Sequence, residues 1–298
     1  MPPGGGSARS TRDACGTLFL VATPIGNLED ITLRALRTLR EVDIIAAEDT
    51  RVTLKLLSHY QIRKPMFSYH RHSKPGVVEK IIGLLEEGKS VALTCDAGTP
   101  GISDPGEGIV RACIREGLPV VAIPGPSALV AALAVSGLPT SSLIFIGFLP
   151  RRAPERRKVI AELGGQARTL VFFEAPHRLV SCLKDMRKVL GDRQAVVARE
   201  LTKKFEEIVR GFLSEVVRHF EKTSPRGEAV VLVAGAEQTG SSPQREEDVG
   251  SPEKRLQEAL ALARSLRSAG TSTRSAATRA AEDLKVPWRE VYRALLAR

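Results

Sequence analysis

Aromatic residues are scarce in this chain: 4%, with one Trp, three Tyr and nine Phe. That excludes the repeated stacking platforms of single-strand-binding proteins. Cysteine is also sparse. Cys15, Cys95, Cys113 and Cys182 form no C-x-x-C pair and have no histidine at metal spacing, so neither a disulfide framework nor a metal site is expected. Reduced thiols in a cytoplasmic protein fit this usage. No apolar run approaches the ~20 residues that span a bilayer, so no membrane association is expected. Residues 1–16 lack the apolar segment of a secretory signal, and their Gly and Pro spoil a transit-peptide helix, so they read as a disordered tail.

Positive charge is what the chain has in excess. Forty-four Lys and Arg against 34 Asp and Glu give a net charge of +10, which points to a polyanionic partner, nucleic acid being the commonest. With 298 residues and 43% hydrophobic content, the chain can build two compact domains or one large domain with appendages.

From 17 to 125, short apolar runs (17–22, 43–47, 66–68, 90–94 and 120–123) alternate with stretches of helical spacing (31–41, 52–60, 77–87 and 109–116). This pattern predicts a doubly wound α/β domain on a parallel sheet. Pro124-Gly125-Pro126 then breaks it, and Ser127 suits the N-cap of a helix over 128–135. A second α/β domain is expected over 126–236. Its strands at 143–146, 169–173, 195–199, 206–210 and 229–233 make a mixed sheet, with helices at 154–163, 179–190 and 213–220. Residues 237–252 read as a linker. Beyond it, 253–298 predicts three helices (253–268, 274–284 and 288–297) around Ala259, Leu262, Leu266, Ala276, Ala280, Leu284, Val291 and Leu295. Lys254, Arg255, Arg264, Arg267, Arg274, Arg279, Lys285, Arg289 and Arg293 decorate this small basic helical domain. It fits a nucleic-acid-binding appendage or, equally, a solvated or dimerising helical tail.

Four loops at strand ends carry dense functional-group chemistry: 23–30, 46–51, 96–106 and 172–178. The third, Asp96-Ala97-Gly98-Thr99-Pro100-Gly101-Ile102-Ser103-Asp104-Pro105-Gly106, follows a buried strand and precedes a helix, the arrangement that brings backbone N–H groups to a polar ligand. It matches neither G-x-G-x-x-G nor the P-loop, so a nicotinamide or nucleoside triphosphate cofactor is not expected. Each loop alone has a plain structural reading, since Pro and Gly make turns and Asp or Asn caps helices.

In order and spacing these loops resemble the tetrapyrrole methylase (class III, AdoMet-dependent) superfamily, in its branch acting on ribosomal RNA. Pro124-Gly125-Pro126-Ser127-Ala128, Gly147-Phe148-Leu149-Pro150, Glu174-Ala175-Pro176-His177-Arg178-Leu179 and Arg199-Glu200-Leu201-Thr202-Lys203 extend the resemblance over 17–235. It implies two α/β domains with S-adenosyl-L-methionine (AdoMet) in the cleft between them, a homodimer, and 2′-O-methylation of a cytidine in 16S rRNA of the small ribosomal subunit. The chain departs from the family pattern at Cys95, where Ser is expected. It also departs at His70-Arg71-His72-Ser73, which replaces His-Glu-His-Asn and exchanges a carboxylate for a cation.

The resemblance places Pro24, Ile25, Asp96, Gly98, Thr99, Pro100, Ile102, Ser127, Ala128, Phe173, Glu174, Ala198 and Ala229 around AdoMet. A ribose hydroxyl gains from proton removal, and Glu48, Asp49 and His70 are the candidate bases, with Arg51 polarising the oxygen or holding a phosphate. Against this stands a helix cap by Asp49 paired with Arg51. His177 reads as a helix-start residue. Arg151, Arg152, Arg156, Arg157 and Lys158, fixed by Pro150 and Pro154 as a loop, are expected to grip RNA phosphates. Two other readings fit the same residues: a tetrapyrrole methyltransferase of the superfamily, and a non-enzymatic ribosome-assembly binder.

Overall fold

The computed structural model describes residues 15–71, 73, 76–223, 225–236, 252–284 and 286–296. Apart from Cys15, Gly16 and Pro252, the expected tail and linker lie outside them, as do His72 and the side chains of Lys254, Arg255 and Lys285. Two compact units make up the chain, Met1–Thr239 and Gly240–Arg298.

The first unit holds two five-stranded sheets. One is built from β1 (Leu18–Val21), β2 (Ile44–Ala47), β3 (Met66–Ser68), β4 (Val91–Thr94) and β5 (Val120–Ile123) in the order β3-β2-β4-β1-β5. All its pairs are parallel. Helices α1 (Leu33–Glu41), α2 (Thr50–His59), α3 (Gly76–Glu86) and α4 (Glu107–Arg115) provide the crossovers. A strand buried on both faces is apolar except where a polar group finds a partner, and β4 fits: Val91, Ala92 and Leu93 are apolar, and the buried Thr94 hydroxyl meets Thr53 Oγ1 at 3.3 Å. Ala92 joins the core under α1 and α2, while Val91 and Leu93 face the core under α3 and α4.

After the turn Pro124–Ser127 comes α5 (Ala128–Ser136), and then the second sheet with its helices. Its strands are β6 (Leu143–Phe148), β7 (Thr169–Glu174), β8 (Gln194–Arg199), β9 (Glu207–Phe212) and β10 (Ala229–Val233), in the order β6-β7-β10-β8-β9. Only β6 and β7 pair in parallel; β10 is antiparallel to both β7 and β8, and β9 to β8. Helices α6 (Ala153–Glu162), α7 (Pro176–Leu190) and α8 (Leu213–Lys222) cover one face, and α5 covers the other. The mixed sheet is as the sequence predicts. Ser127 stands at the N-cap of α5, but its hydroxyl makes no capping bond.

The basic run after Pro150 differs from expectation. Residues 153–162 are helix, with Pro154 in the first turn where its missing N–H costs nothing. Arg156 points inward and is 4% exposed. Its Nε and Nη2 donate to Asp185 Oδ2 at 2.9 and 2.6 Å, and Arg157 Nη1 reaches Asp185 Oδ1 at 3.2 Å. Arg156 therefore ties α6 to α7 and cannot meet a phosphate; Arg151, Arg152 and Lys158 are exposed and Arg157 is half-buried.

The second unit contains α9 (Pro252–Ser268), α10 (Thr273–Asp283) and α11 (Trp288–Leu296). Its core is mostly alanine: Ala259, Ala263, Ala276, Ala277, Ala280 and Ala281, closed by Val291 and Leu295. Ser272 caps α10 by accepting from Ser275 N–H at 3.2 Å. Among the described residues, no helix is long and apolar enough to cross a membrane.

Candidate active-site cleft

The carboxyl ends of parallel strands are where an open α/β sheet binds its ligands. Here the ends of β1 and β4 are fastened together: Thr23 and Gly98 exchange N–H···O bonds of 2.8 and 3.0 Å, and Thr23 Oγ1 donates to the Cys95 carbonyl at 3.0 Å. Gly98 holds a left-handed φ of 83° that few other residues tolerate. The thiol of Cys95 is buried beneath this turn, donates to the carbonyls of Ala97 and Gly98, and is pushed far up in pKa by burial.

Beside it lies a reciprocal latch between β2 and β4. Glu48 Oε2 accepts from the Asp96 N–H at 3.3 Å, and Asp96 Oδ1 accepts from the Asp49 N–H at 3.0 Å. Burial raises the pKa of both carboxyl groups, and charge repulsion adds to it: Asp96 acts on Glu48, and Asp49 on Asp96. Asp49 itself is occupied. It caps α2 by accepting from Arg51 N–H at 2.8 Å and pairs with the Arg51 guanidinium at 2.6 Å. The hydrogen bonds from Arg51 hold its carboxyl at about 2. The capping alternative is thus what the structure displays, and Asp49 is a poor proton acceptor.

A cleft opens over these loops. Of the residues placed around AdoMet, Ile25, Asp96, Gly98, Thr99, Ile102, Ser127, Ala128, Phe173, Ala198 and Ala229 line it, and so does the candidate base Glu48. Three expected wall residues do not. Pro24 shapes the turn after β1, Pro100 is buried under its own loop, and Glu174 is fully buried below the surface. Glu174 instead accepts from the Ala175 N–H at 2.9 Å and from Arg178 Nη2 at 3.2 Å. That Arg178 nitrogen also holds the carbonyls of Leu149 and Pro150, so the pair props up the loop after β6. His70 is exposed at the end of β3, bonded through its backbone to Ser73, and contributes to the charge around Glu48 without lining the cleft. Arg51 is exposed, and His177 is exposed in the first turn of α7.

The sequence reading missed Ala97, Ser103, Asp104, Phe148, Glu200, Leu201, Lys203, Glu228 and Val230, which complete the lining. Asp104 is the most perturbed carboxyl there. Burial, with Glu48 and then Glu228 facing it, pushes its pKa up to about 6, although the Cys95 thiol and Arg71 act the other way. Its neighbour Ser103 holds a left-handed φ of 62°, with Arg71 donating to the Ser103 carbonyl. So Arg71, the cation that stands in place of a carboxylate, secures the loop carrying Asp104. Phe148 and Phe173 meet edge-to-face, their centroids 5.7 Å apart, and form the aromatic side of the cleft.

The lining thus combines an aromatic and aliphatic wall with five carboxylates, Glu48, Asp96, Asp104, Glu200 and Glu228, against one lysine, Lys203, itself paired with Glu200 at 2.8 Å. Such a cleft selects a ligand with a flat apolar part and a cationic part. No three His, Cys, Asp or Glu side chains among the described residues gather closely enough to hold a metal.

Where the 23–30 loop meets the 200–206 turn, Asn27 N–H donates to Thr202 Oγ1 at 3.0 Å, and a Cβ on Gly26 would lie 2.9 Å from the Leu201 carbonyl oxygen and 2.4 Å from Lys203 Cγ. Gly26→Ala is therefore expected to push the two loops apart and to cost about 1–3 kcal/mol, the usual cost of overpacking. Urea denaturation checks it, and an unchanged midpoint would contradict this close approach.

Residues 17–217 match the family model for Tetrapyrrole (Corrin/Porphyrin) Methylases. Solved structures share the fold at low identity. Cobalt precorrin-4 methyltransferase superposes with a TM-score of 0.57 at 19% identity, covering 73% of this chain and 94% of that one. Uroporphyrin-III C-methyltransferase from Thermus thermophilus, complexed with S-adenyl homocysteine, gives 0.51 at 21% identity, covering 75% and 100%. Fold and family model together define a tetrapyrrole methylase.

The curated relatives are nearer in sequence. Ribosomal RNA small subunit methyltransferase I of Thermotoga maritima is 52% identical over 222 residues, 74% of this chain and 100% of the relative. The protein of that name from Halalkalibacterium halodurans is 46% identical over 284 residues, 94% of this chain and 95% of the relative. The chain belongs to the tetrapyrrole methylase family and, within it, to the group of ribosomal RNA small subunit methyltransferases I.

Proposed function

We propose that this chain is an AdoMet-dependent ribosomal RNA methyltransferase that methylates the 2′-hydroxyl of a cytidine in 16S rRNA of the small ribosomal subunit. The observation that carries the reading is identity of 46% across 94% of the chain with a ribosomal RNA small subunit methyltransferase I. The cleft supports it independently. Phe148, Phe173, Ile25 and Val230 suit an adenine ring, and the carboxylates of Asp96, Asp104 and Glu228 suit the cationic and hydroxyl groups of AdoMet. When bound, AdoMet supplies an electrophilic methyl group on a sulfonium.

The remaining chemistry belongs to the chain. Two reactants held in line gain up to about 7–11 kcal/mol from positioning alone, and the bonded turns at Thr23–Gly98 and Glu48–Asp96 give the cleft fixed walls. Glu48 is the proton acceptor for the ribose hydroxyl. Its Oε2 is engaged by Asp96 N–H, Oε1 takes the proton, and its raised pKa brings its basicity nearer to that of the hydroxyl. Arg51, Arg151, Arg152, Arg157 and Lys158 provide the phosphate contacts that position an RNA without reading its sequence. A homodimer formed through α5 is part of the proposal. That helix is apolar on every side and leaves Val130 63% and Val135 40% exposed.

The test is transfer of tritiated methyl from AdoMet to unmethylated small-subunit particles, with uroporphyrinogen as a parallel acceptor, followed by nuclease mapping. Label at a single cytidine 2′-oxygen supports the reading. Label in the tetrapyrrole alone, or in neither, overturns it.

A pH dependence follows from Asp104. Its carboxyl is neutral below about 6 and anionic above, and only the anion attracts a sulfonium. AdoMet affinity by calorimetry is expected to rise between pH 5 and 7.5, and Asp104→Asn to flatten that rise. Stability runs the opposite way. A carboxyl whose pKa is raised on folding binds protons more tightly in the native state, so its contribution falls as pH climbs from the unfolded value near 4 through about 6. Asp104→Asn is therefore expected to melt higher than wild type at pH 8 and near it at pH 4.

A further inference from the structure

In the second unit, the chain's one tryptophan begins α11. Trp288 is 37% exposed and stacks on Tyr292, with centroids 5.0 Å apart and planes 15° from parallel. A core of eight buried side chains, mostly alanines, does not need an indole at its margin, and Trp288 is not part of that core. Instead it forms a wall of an open groove with Arg274, Thr278, Ala281, Glu282 and Val286.

Arg274, Thr278 and Ala281 recur at helical spacing along one side of α10, so the groove runs between α10 and the start of α11. Its chemistry is a supported aromatic plane, an arginine, a hydroxyl, one carboxylate and two small apolar side chains. The surrounding surface is cationic. Arg264, Arg267, Arg274, Arg279, Arg289 and Arg293 are all exposed, and none forms an ion pair with another described residue. Their guanidinium groups are therefore open to phosphates.

We infer that this groove is a base-binding site for single-stranded RNA: an unstacked base lies against Trp288 and its flanking phosphate meets Arg274. Glu282 accepts from an exocyclic amino group and so favours cytosine, adenine or guanine over uracil. Tyr292 behind the indole keeps the plane fixed, so little rotamer freedom is lost on binding. One aromatic site differs from a multi-base platform and agrees with the low aromatic content of the chain. The inference rests on the RNA reading of the protein but not on the chemistry of the cleft.

The single tryptophan provides the assay. Full-length protein is titrated with a 12-nucleotide oligocytidylate, with oligouridylate, and with a blunt RNA duplex of equal length, following indole emission and, in parallel, the anisotropy of a labelled oligonucleotide. Expected is quenching by oligocytidylate at the concentrations where anisotropy rises, with weaker quenching by oligouridylate and none by the duplex. Trp288→Ala is expected to weaken oligocytidylate binding about 5- to 150-fold, the worth of one base stack, and Trp288→Phe to recover part of it. Arg274→Ala, on an exposed helix position, is expected to weaken binding and to flatten its salt dependence while melting like wild type.

Binding without any change in emission overturns the inference, as does equal quenching by the duplex or wild-type affinity in Trp288→Ala. Failure of the methylation reading is separately visible: quenching would persist while ribosomal particles take up no methyl group.

Discussion

Glu48→Gln is expected to lower the rate of methyl transfer about 10²- to 10⁴-fold, the range for losing a general base, and to change AdoMet affinity far less. Glutamine has the shape of glutamate, and its amide oxygen can still accept from Asp96 N–H, so the latch between β2 and β4 survives. What disappears is a group able to take a proton. Single-turnover kinetics on saturated particles separates the two effects, since binding does not limit the measured rate. Wild-type rate should climb with pH as Glu48, whose pKa burial raises, loses its proton; the variant should show no such limb. Asp49→Asn makes the contrast. Asparagine caps helices as well as aspartate does, and Asp49, held at about 2 by Arg51, has little basicity to lose. A full rate in Glu48→Gln would remove this residue from the mechanism and move attention to Asp104.

The largest stability effect is expected at a position remote from the cleft. Asp185→Ala should cost about 3–5 kcal/mol, because it strands a charge that cannot return to water. The side chains of Arg156 and Asp185 are 5% and 12% exposed, and two guanidinium nitrogens converge on one carboxylate oxygen. Replacing both members, as Arg156→Met with Asp185→Leu, is expected to be neutral or stabilising by about 1–4 kcal/mol, since desolvating an ion pair offsets much of its attraction. Urea unfolding at fixed pH measures both. A loss below about 1 kcal/mol for Asp185→Ala would put it among ordinary surface substitutions and refute the buried pair.

The same pair shows where sequence reading stops. Charge spacing over 151–158 gives a basic run, but nothing local tells which arginine turns inward, because Asp185 lies 29 residues beyond Arg156. Strands were readable to within a residue or two because the runs are short, mostly apolar and bounded by turn residues, as at Val91–Thr94 after Gly88-Lys89 and at Val120–Ile123 between Pro119 and Pro124. Cleft residues at the ends of β1, β2 and β4 were readable for a related reason: a parallel sheet puts every carboxyl end on one edge.

Glu228 escaped that rule. β10 runs antiparallel to its neighbours, so Ala229, at its amino end, pairs with Glu174 and Arg199 at the carboxyl ends of β7 and β8. The residue just before it therefore arrives at the cleft from the opposite direction. Glu200 and Lys203 were quoted only as part of a motif, because their approach to the first sheet's loops depends on long-range packing around Gly26. Glu174 misled for a further reason. A carboxylate at a strand end reads as a ligand group, yet its partner Arg178 sits one helical turn on and draws it inward.

The sulfur atoms of this protein lend themselves to chemistry of another kind. Cys95, Cys113 and Cys182 are at most 2% exposed, and burial raises all three thiol pKa values, Cys113 to about 11. The thiolate is the form that attacks a maleimide or iodoacetamide, so at neutral pH these three should stay silent. Cys15, partly open and just ahead of β1, then becomes a natural attachment point for a dye or spin label, with no cysteine removed from the wild-type chain.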